Sequence, residues 1–415
     1  MRIVHLNEVL RPGGGPAGYL YNLRKACLGL QDCPIGFATR AISESRELLV
    51  KQNPLISLIE KNSKIAPKNV VARLLLFKAW LDRRRSLDPC LAAQLEDAGA
   101  VVAHDFRLFL KFLNWRRNRR DGPLGVLMLH SPTNPSQEMA QSWQAQYQLG
   151  QKIKSVQRIW AAMELRAICS ADAIILPNRH AVEGYFRGQP DRLDLLLSRR
   201  IMEVPSGVPE LHSSRPREAV RAELGLVPGE LAIGFLGREV PDKGYDIFIA
   251  AANQALLDAR YSKLRFIGVG AGPLHESSPP PNLLQLRWRE DAADLISAFD
   301  ILLVPNRIAY FDLVILEALS AGKTVYTTYV GGSKGLVPGS VKFLFSTNPS
   351  GIAREFLDKM NESDRLLDSK QILQIYKDHY SNAKFLERHL RITEELPRLV
   401  ARSSAASGGG VGFGH

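Results

Sequence analysis

The sequence predicts an α/β protein built from two doubly wound, Rossmann-like domains, each with a parallel sheet covered by helices on both faces. The chain has 415 residues, more than a single hydrophobic core usually serves, so two domains of about 200 residues are expected. In each half, short apolar runs alternate with longer segments of helical period, as in parallel sheets. The turn-rich sequence VPSGVP at residues 204–209 lies between the halves and predicts the hinge.

The first half, predicted as a domain over residues 1–204, opens with a strand over residues 3–6 and a glycine-rich turn. Helices are predicted over residues 18–30 and 151–170, where apolar residues recur with helical period. The other strands of this half are expected at residues 100–103, 124–129 and 173–176.

The second half, predicted as a domain over residues 205–385, repeats this plan. Its strands are expected at residues 231–236, 264–269, 283–286 and 301–305, and its helices at residues 245–257 and 311–321. The two domains are predicted to face each other across a cleft, with ligands bound at the carboxyl ends of the strands.

A third region follows the second domain. Residues 386–402 form a charged helical pattern that is predicted to return to the first domain, with a break or kink at Pro397. Residues 403–415 are rich in Ser, Ala and Gly and are predicted to be a flexible tail.

The composition is that of an ordinary globular protein. Hydrophobic residues make up 45% of the chain and charged residues 23%, which argues against disorder. The first apolar run is too short for a signal peptide, and no stretch approaches the roughly 20 apolar residues of a membrane-spanning helix. The four cysteines show neither metal-ligand spacing nor a disulfide framework. We therefore expect reduced thiols and a cytoplasmic location.

The charge is strongly basic. A formal net charge of +12 and a pI near 9.6 should attract anions such as nucleic acid, anionic lipid or phosphorylated substrates. Residues 72–86 and 111–120 concentrate this charge and carry apolar and aromatic residues as well. One interpretation is peripheral contact with anionic membrane on the inner face of the cell, where each basic residue contributes about 1 kcal/mol. The other is a pair of solvated helices whose basic C-terminal residues offset the helix dipole.

Two glycine motifs resemble nucleotide-binding signatures but lack a glycine that each signature requires. Residues 322–324 resemble the end of a Walker A loop, but Glu317 occupies the position of its first glycine. Residues 268–272 lack the third glycine of a dinucleotide fingerprint, because Pro273 stands there. The sequence contains no HEXXH, CXXC or DXD motif. We therefore expect no cofactor and no protein-held catalytic metal.

Three loops are better candidates for a ligand site. Residues 11–18, rich in glycine, lie between a strand and a helix, where backbone amides can approach an anion. Arg238 and Lys243 follow a strand and could clamp a diphosphate. A helix starting near Phe311 would present free amides to phosphate, and Glu317 could bind a ribose. Each loop also has an alternative without a ligand. The glycine-rich loop would then be a simple strand-to-helix connection, Arg238 and Lys243 would be exposed surface cations, and the third helix would be buried with Glu317 pointing to water.

Taken in order, these pieces resemble the retaining glycosyltransferases of family 4, a large group with the GT-B fold. The similarity spans nearly the whole chain, and the ordered set is more specific than any one member. Its pieces are the glycine-rich first turn, His130, Glu164, Asp172, the hinge, Arg238 with Lys243, Asp300, Asn306, and Glu317 with Gly322.

The resemblance implies a role for each matched residue. Arg238 and Lys243 would bind the diphosphate of a nucleotide-sugar donor such as a UDP- or GDP-sugar, and Glu317 would hold its ribose. His130 would lie beside the transferred sugar. The other substrate-binding positions implied are Gly14 and Gly15 in the cleft and Phe311, Asp312, Leu313 and Val314 at the phosphate and sugar. The resemblance further implies attack by an acceptor hydroxyl on the face from which phosphate departs, without a protein nucleophile or metal.

Three positions depart from the family pattern. The first glutamate of its E-x7-E motif is replaced by Ala309, a glycine by Asp312, and an acidic residue by Lys334. This variant resembles transferases of bacterial surface polysaccharides, including lipopolysaccharide, and implies a glycan or lipid-linked glycan acceptor. We hypothesise that Asp312 takes over the contact of the missing carboxylate with the sugar, which adds it to the catalytic candidates His130, Arg238 and Lys243.

Two other functions compete with this one. A catalytically silent GT-B protein that stabilises or recruits another transferase is suggested by Ala309 and Lys334, whereas the presence of Arg238, Lys243 and Glu317 argues against it. A nucleic-acid binder is suggested by charge alone. The chain has no recognised nucleic-acid module, so we expect no nucleic acid among its partners.

Overall fold

The computed structural model describes residues 1–44, 68–119 and 121–407, and it divides into two compact units. The first unit comprises Met1–Arg179, Glu183–Val204 and the chain from Leu386 onward. The second comprises His180–Val182 and Pro205–Phe385. The final helix, from Leu386 onward, thus belongs to the same unit as the first strand.

The first unit is built on a parallel sheet of six strands, in the order β3-β1-β5-β6-β7-β8. The strands are β1 (Ile3–Leu6), β2 (Val9–Leu10), β3 (Ile35–Ala38), β4 (Ala41–Ile42), β5 (Ala100–Ala103), β6 (Leu124–Met128), β7 (Ala173–Leu176) and β8 (Ile201–Glu203), of which β2 and β4 pair separately. The helices are α1 (Gly15–Cys27), α2 (Lys68–Arg84), α3 (Pro89–Ala93), α4 (Phe106–Arg116), α5 (Pro135–Tyr147), α6 (Lys152–Ser170) and α7 (Pro190–Leu197).

The second unit has its own parallel sheet of six strands, in the order β11-β10-β9-β12-β13-β14. Its strands are β9 (Leu231–Arg238), β10 (Leu264–Ala271), β11 (Leu283–Leu286), β12 (Ile301–Val304), β13 (Thr324–Thr328) and β14 (Lys342–Leu344). Its helices are α8 (Arg217–Glu223), α9 (Tyr245–Ala255), α10 (Ala292–Ala298), α11 (Leu313–Ser320), α12 (Pro349–Lys359) and α13 (Ser369–Ile375), and α14 (Asn382–Ser407) ends the described chain.

The central strands are buried along their whole length and carry mainly apolar residues, with His5 of β1 as a polar exception. All four residues of β1, β5 and β12 are buried, the pattern expected of parallel sheets. In β9, a Cβ on Gly234 would lie 2.1 Å from the ring of Phe299. Glycine there lets Phe299 pack flat on the sheet.

Several helix boundaries differ from the predicted ones. The first helix begins at Gly15 rather than at residue 18, because Pro16 supplies a favourable first turn. The helix predicted from residue 311 begins at Leu313, with Asp312 in extended geometry at its N-cap.

The C-terminal helix also differs from the prediction. α14 runs without a break through Pro397 and continues to Ser407, since a proline removes one backbone donor and buried Leu396 anchors the preceding turn. Part of the predicted tail is thus helical, and residues 408–415 lie outside the described residues.

Among the described residues, no helix combines the length and the apolar character of a membrane span.

Candidate functional site

Lys243 is held at the carboxyl edge of the second sheet by a tight turn. Residues Pro241–Lys243 form one 3-10 turn after β9, and Gly244 then adopts a left-handed φ of 69°. A Cβ at Gly244 would lie 1.9 Å from the carbonyl oxygen of Pro305. Only glycine fits there, so the turn packs directly on the end of β12.

Lys243 forms an ion pair with Asp312, and Asn306 completes what we call the Lys243–Asp312 site. The ammonium bonds one carboxylate oxygen of Asp312, while Asn306 Nδ2 donates to the other at 2.6 Å. Asn306 is buried, and its carbonyl accepts from Thr328 Oγ1 at 2.5 Å. The side chains of Lys243 and Asp312 remain 28% and 14% exposed. Both carboxylate oxygens of Asp312 are therefore engaged, at a place that a solute can reach.

The amides that begin α11 lie beside this ion pair. Asp312 occupies the N-cap, but its side chain makes no capping hydrogen bond. Leu313 and Val314 are half-buried, and their N–H groups have no acceptor among the described residues. Free amides at a helix N-terminus favour an anion. Glu317 is half-buried on the same helix.

Arg238 and Phe311 occupy different environments beside the site. Arg238 ends β9 in an exposed position and has no ion-pair partner among the described residues. Phe311 is buried in the core, with its ring 6.3 Å from that of Tyr380. Phe311 can therefore offer a ligand only its backbone.

Ala309 stands where the family pattern has its first glutamate, and the surrounding backbone packs tightly against it. Ala309 is 1% exposed, and Gly332 N donates to its carbonyl at 2.9 Å. A Cβ on Gly331 would lie 2.2 Å from that oxygen, and one on Gly332 would lie 1.5 Å from the Tyr310 oxygen. The glycine pair is packed against the loop, so a longer side chain at residue 309 would have to displace it.

Sequence reasoning missed two hydrogen-bonded side-chain pairs near this edge. Glu239, directly after Arg238, is fully buried and bonds His275 Nδ1 at 3.0 Å. Arg307 holds Asp246 with two bonds of 2.7 and 2.5 Å. A charged residue directly after a strand was the available signal for Glu239, whereas His275 follows no pattern in sequence.

The glycines of residues 268–272 have a packing role. A Cβ at Gly270 would lie 1.9 Å from the Gly237 oxygen, and one at Gly272 would lie 2.3 Å from the Glu239 oxygen. They let β10 approach the end of β9, which accounts for the motif without a dinucleotide.

In the first unit, four histidines and one tyrosine form a histidine cluster, in which His130 is half-buried and the other four side chains are buried. His5 Nδ1 lies 2.9 Å from His104 Nε2, and His104 Nδ1 lies 2.6 Å from His130 Nε2. The series follows the adjacent strands β1, β5 and β6. On its other side Tyr19 of α1 places its hydroxyl 3.0 Å from Nε2 of His389 in α14, and the His389 ring lies 5.4 Å from that of His5.

Burial favours the neutral form of His5, His104 and His130. His5 and His104 are 1% and 3% exposed, and burial, together with neighbouring histidines, holds the pKa of each well below its usual value. Burial lowers the pKa of His130 to about 3. A hydrogen bond between neutral imidazoles needs one donor and one acceptor. The tautomer of His5 therefore determines, through His104, which nitrogen of His130 carries the proton.

The glycine loop leads into this cluster. Gly14 is the N-cap of α1, Gly15 has a φ of 69°, and both are exposed. Tyr19, one turn later, contacts the His130 ring edge-on at 5.2 Å between centroids. Gly14, Gly15 and His130 thus belong to one unit, while Arg238, Glu317 and the Lys243–Asp312 ion pair belong to the other.

Glu164 is a further buried group of the first unit. It is fully buried and accepts a hydrogen bond of 2.5 Å from Ser136 Oγ. Burial raises the pKa of this carboxyl. Because Ser136 lies in the first turn of α5, this hydrogen bond stabilises the start of that helix.

Part of the chain is similar to known glycosyltransferases. Residues 230–362 match the family model described as Glycosyl transferases group 1. The D-inositol 3-phosphate glycosyltransferase of Nocardia farcinica is 33% identical over 190 residues, 41% of this chain and 40% of that protein. The enzyme of the same name from Mycobacterium sp. (strain KMS) is 29% identical over 279 residues, 58% and 60% of the two chains. The chain thus spans less than two thirds of these curated relatives.

Solved structures resemble nearly the whole chain. Anabaena HepE in complex with UDP-glucose has a TM-score of 0.58 at 16% identity, covering 96% of this chain and 100% of that one. Sucrose-phosphate synthase from Thermosynechococcus elongatus has a TM-score of 0.60 at 14% identity, with 95% and 99% covered. WaaG, a glycosyltransferase involved in lipopolysaccharide biosynthesis, has a TM-score of 0.52 at 17% identity, with 98% and 100% covered. These similarities confirm the predicted GT-B fold.

Proposed function

We propose that this protein is a glycosyltransferase that transfers a sugar from a nucleotide-sugar donor, with retention, to a glycan or lipid-linked glycan acceptor of bacterial surface polysaccharide. The observation that carries this proposal is the Lys243–Asp312 site. It combines a cation, free helix amides and the exposed Arg238 at the carboxyl edge of a parallel sheet, where such folds bind nucleotides. All of these residues fall within the segment that matches Glycosyl transferases group 1.

The site has the charge that departure of a nucleoside diphosphate requires. Arg238, Lys243 and the amides of Leu313 and Val314 can bind the diphosphate and stabilise its charge as it grows. Asp312 fixes the ammonium of Lys243 and so reduces the reorganisation needed during the reaction. Glu317 would accept hydrogen bonds from the ribose.

The proposed reaction needs no protein nucleophile. The acceptor oxygen bonds to the anomeric carbon on the face from which the phosphate departs, the bond between that carbon and the phosphate oxygen breaks, and the acceptor proton passes to the leaving phosphate. The protein contributes positioning and electrostatic stabilisation. His130, neutral and held by His104, would bind a sugar hydroxyl. We further propose that no protein-held metal takes part, so activity should persist in EDTA.

A second acceptor class is favoured by the names of the curated relatives. Both relatives described above are named for D-inositol 3-phosphate, so a phosphorylated polyol is the alternative to a glycan. Product analysis with each acceptor and the same donor would separate the two.

Location and membrane contact belong to the same proposal. We propose a cytoplasmic protein in peripheral contact with anionic membrane, because the basic ends of α2 and α4 carry aromatic residues. The catalytically silent partner stays as the competing function.

Thermal stabilisation across a panel of nucleoside diphosphates and nucleotide sugars tests the donor site. A ligand at about 100 times its Kd stabilises by about 2.7 kcal/mol. We expect a shift with one nucleotide that Arg238→Ala abolishes and the matched exposed variant Arg260→Ala retains. Absence of a shift with every nucleotide would favour the silent partner.

A further inference from the structure

The first unit contains a concave surface that includes none of the donor-site residues. A cavity of about 360 Å³ lies between the C-terminal ends of α2 and α4 and the outer side of α6. It is lined by Trp80, Arg83, Arg84, Asn114, Arg117 and Arg166. We call it the arginine cavity.

Within the described part of the chain, its four arginines lack the acidic partners that neighbouring cations have. Lys78 is 2.5 Å from Asp82, and Arg116 is 2.6 Å from Asp172. By contrast, no carboxylate among the described residues pairs with any arginine of the cavity. Four guanidinium groups around one concavity repel each other, and an anion placed between them relieves that repulsion.

The end of α2 is arranged so that its carbonyls do not oppose such an anion. Asn114 Nδ2 donates to the carbonyl oxygens of Arg83 at 3.0 Å and Arg85 at 2.9 Å. These bonds tie the end of α2 to α4 and satisfy acceptors that would otherwise carry exposed negative charge. The guanidinium groups are then the dominant charges of the cavity.

An exposed aromatic pair lies beside the arginines. Trp80 and Phe77 are 46% and 50% exposed and stack with centroids 5.8 Å apart. Arg84 lies over the Trp80 ring at 4.6 Å. Aromatic rings next to arginines are suited to the headgroup level of a membrane, where ring and cation both find their preferred surroundings.

We propose that the arginine cavity binds a phosphate group, and that an anionic lipid headgroup supplies it while Phe77 and Trp80 enter the interface. Arginine suits this ligand because its planar fork bonds two phosphate oxygens at once. The inference deepens the membrane contact of the proposed function by giving it a defined site. It does not depend on the identity of the donor or on turnover.

Sedimentation of the full chain with vesicles of phosphatidylcholine containing phosphatidylglycerol tests this site. Arg83→Gln combined with Arg117→Gln should weaken partition into the vesicles about 20- to 30-fold, on about 1 kcal/mol for each basic residue. The control, Arg187→Gln combined with Arg192→Gln, removes the same net charge from other positions of the first unit. Equal losses in both double variants would overturn the proposal, because net charge alone would then explain binding.

Four further measurements test the mode of recognition, the source of the phosphate, the kind of partner and the independence of the donor site. Arg83→Lys with Arg117→Lys keeps the charge, and a loss of binding in this variant would support bidentate recognition. Inorganic phosphate that protects the protein thermally, and does so only when the cavity is intact, would support the phosphate site but assign it a soluble source.

Tight, cavity-dependent binding of a single-stranded oligonucleotide without vesicle binding would overturn the lipid assignment. The nucleotide-induced thermal shift of the same variants should stay unchanged, which separates failure here from failure of the donor site.

Discussion

The Lys243–Asp312 site and the histidine cluster occupy equivalent places in two sheets, yet they use opposite electrostatics. Each lies towards the carboxyl ends of central parallel strands and is built from polar side chains hydrogen-bonded in series. The first is an ion pair whose two side chains are 28% and 14% exposed. The second contains the imidazoles of His5 and His104, which are 1% and 3% exposed and whose pKa values burial holds well below the usual value. The same fold thus provides a charged surface in one unit and a neutral polar interior in the other.

The difference shows how burial decides what polar residues can do. A charge that remains partly solvated can change partners when a phosphate arrives, because its desolvation cost is small. A buried imidazole series resists protonation and keeps a defined pattern of donors and acceptors. We therefore expect the second unit to respond to anions and the first to respond to acid.

Acidification should give the largest effect and should act through the histidine cluster. The pKa values of His5, His104 and His130 in the folded protein lie below the ordinary value of about 6.5, so the unfolded chain binds more protons as the pH falls below it. Their contribution to stability is fully present above that pH and decreases below it. The free energy of unfolding should fall by about 1.4 kcal/mol per pH unit for each such histidine.

Urea unfolding followed by tryptophan fluorescence between about pH 7 and pH 5 checks this, since four of the five tryptophans lie in the first unit. Glu164 contributes with the opposite sign, because its pKa is raised. The comparison is therefore between the wild type and His104→Phe, whose slope should be smaller. Identical slopes would show that the cluster does not titrate as described.

Removal of the cation should have the next largest effect, on turnover. Lys243→Ala deletes a charge aimed at the leaving diphosphate, and loss of one preorganised donor of this kind lowers kcat about 10²- to 10³-fold. Steady-state rates with the donor identified by thermal shift would measure it. Arg260→Ala, on the surface of the same unit, should keep the wild-type rate. Loss of donor affinity with unchanged kcat would mean that Lys243 binds substrate and transition state equally.

Replacement of the central histidine of the series, His104, should lower the free energy of unfolding at neutral pH. His104→Phe keeps a ring of similar shape but removes both bonds, which leaves His5 Nδ1 and His130 Nε2 without this partner. An unsatisfied buried polar group costs about 1–3 kcal/mol. Chemical denaturation should show that loss, whereas the exposed control His212→Phe should show none. A variant as stable as the wild type would mean that the rings pack without needing the bonds.

Neutralisation of the carboxylate should give the smallest of these effects. Asp312→Asn preserves shape but weakens the hold on Lys243, and we expect kcat to fall about tenfold, equivalent to about 1.4 kcal/mol. Donor affinity, measured by titration calorimetry, should change much less. An unchanged kcat would rule out a catalytic part for Asp312, including the replacement of the carboxylate absent at Ala309.

The fold was predictable because its signals are local. The strand at residues 3–6 stands out as a short apolar run, and β1 has those bounds. Helix starts were less accurate, as at Gly15 and Leu313, because caps and prolines move them by two or three residues. Lys243 and Asp312 were each candidates from motif position, but their ion pair depends on Gly244 packing against Pro305.

The histidine cluster could not be predicted in the same way. His5, His104, His130 and His389 are far apart in sequence and share no spacing. Only the strand order β1-β5-β6 and the return of α14 bring them together. Asn306 likewise stood out only through resemblance, and its bond to Asp312 is a product of the loop after β12.

The discontinuous make-up of the first unit has a consequence for synthesis on the ribosome. His5 and Tyr19 are translated before the second unit, but His389, which contacts both rings, follows the whole second unit. At about 5–20 residues per second, this partner is translated roughly 10–40 s after residue 204. During that time the nascent first unit lacks the side chain of His389 in its interior. A chain that is truncated after residue 385 would lack it permanently.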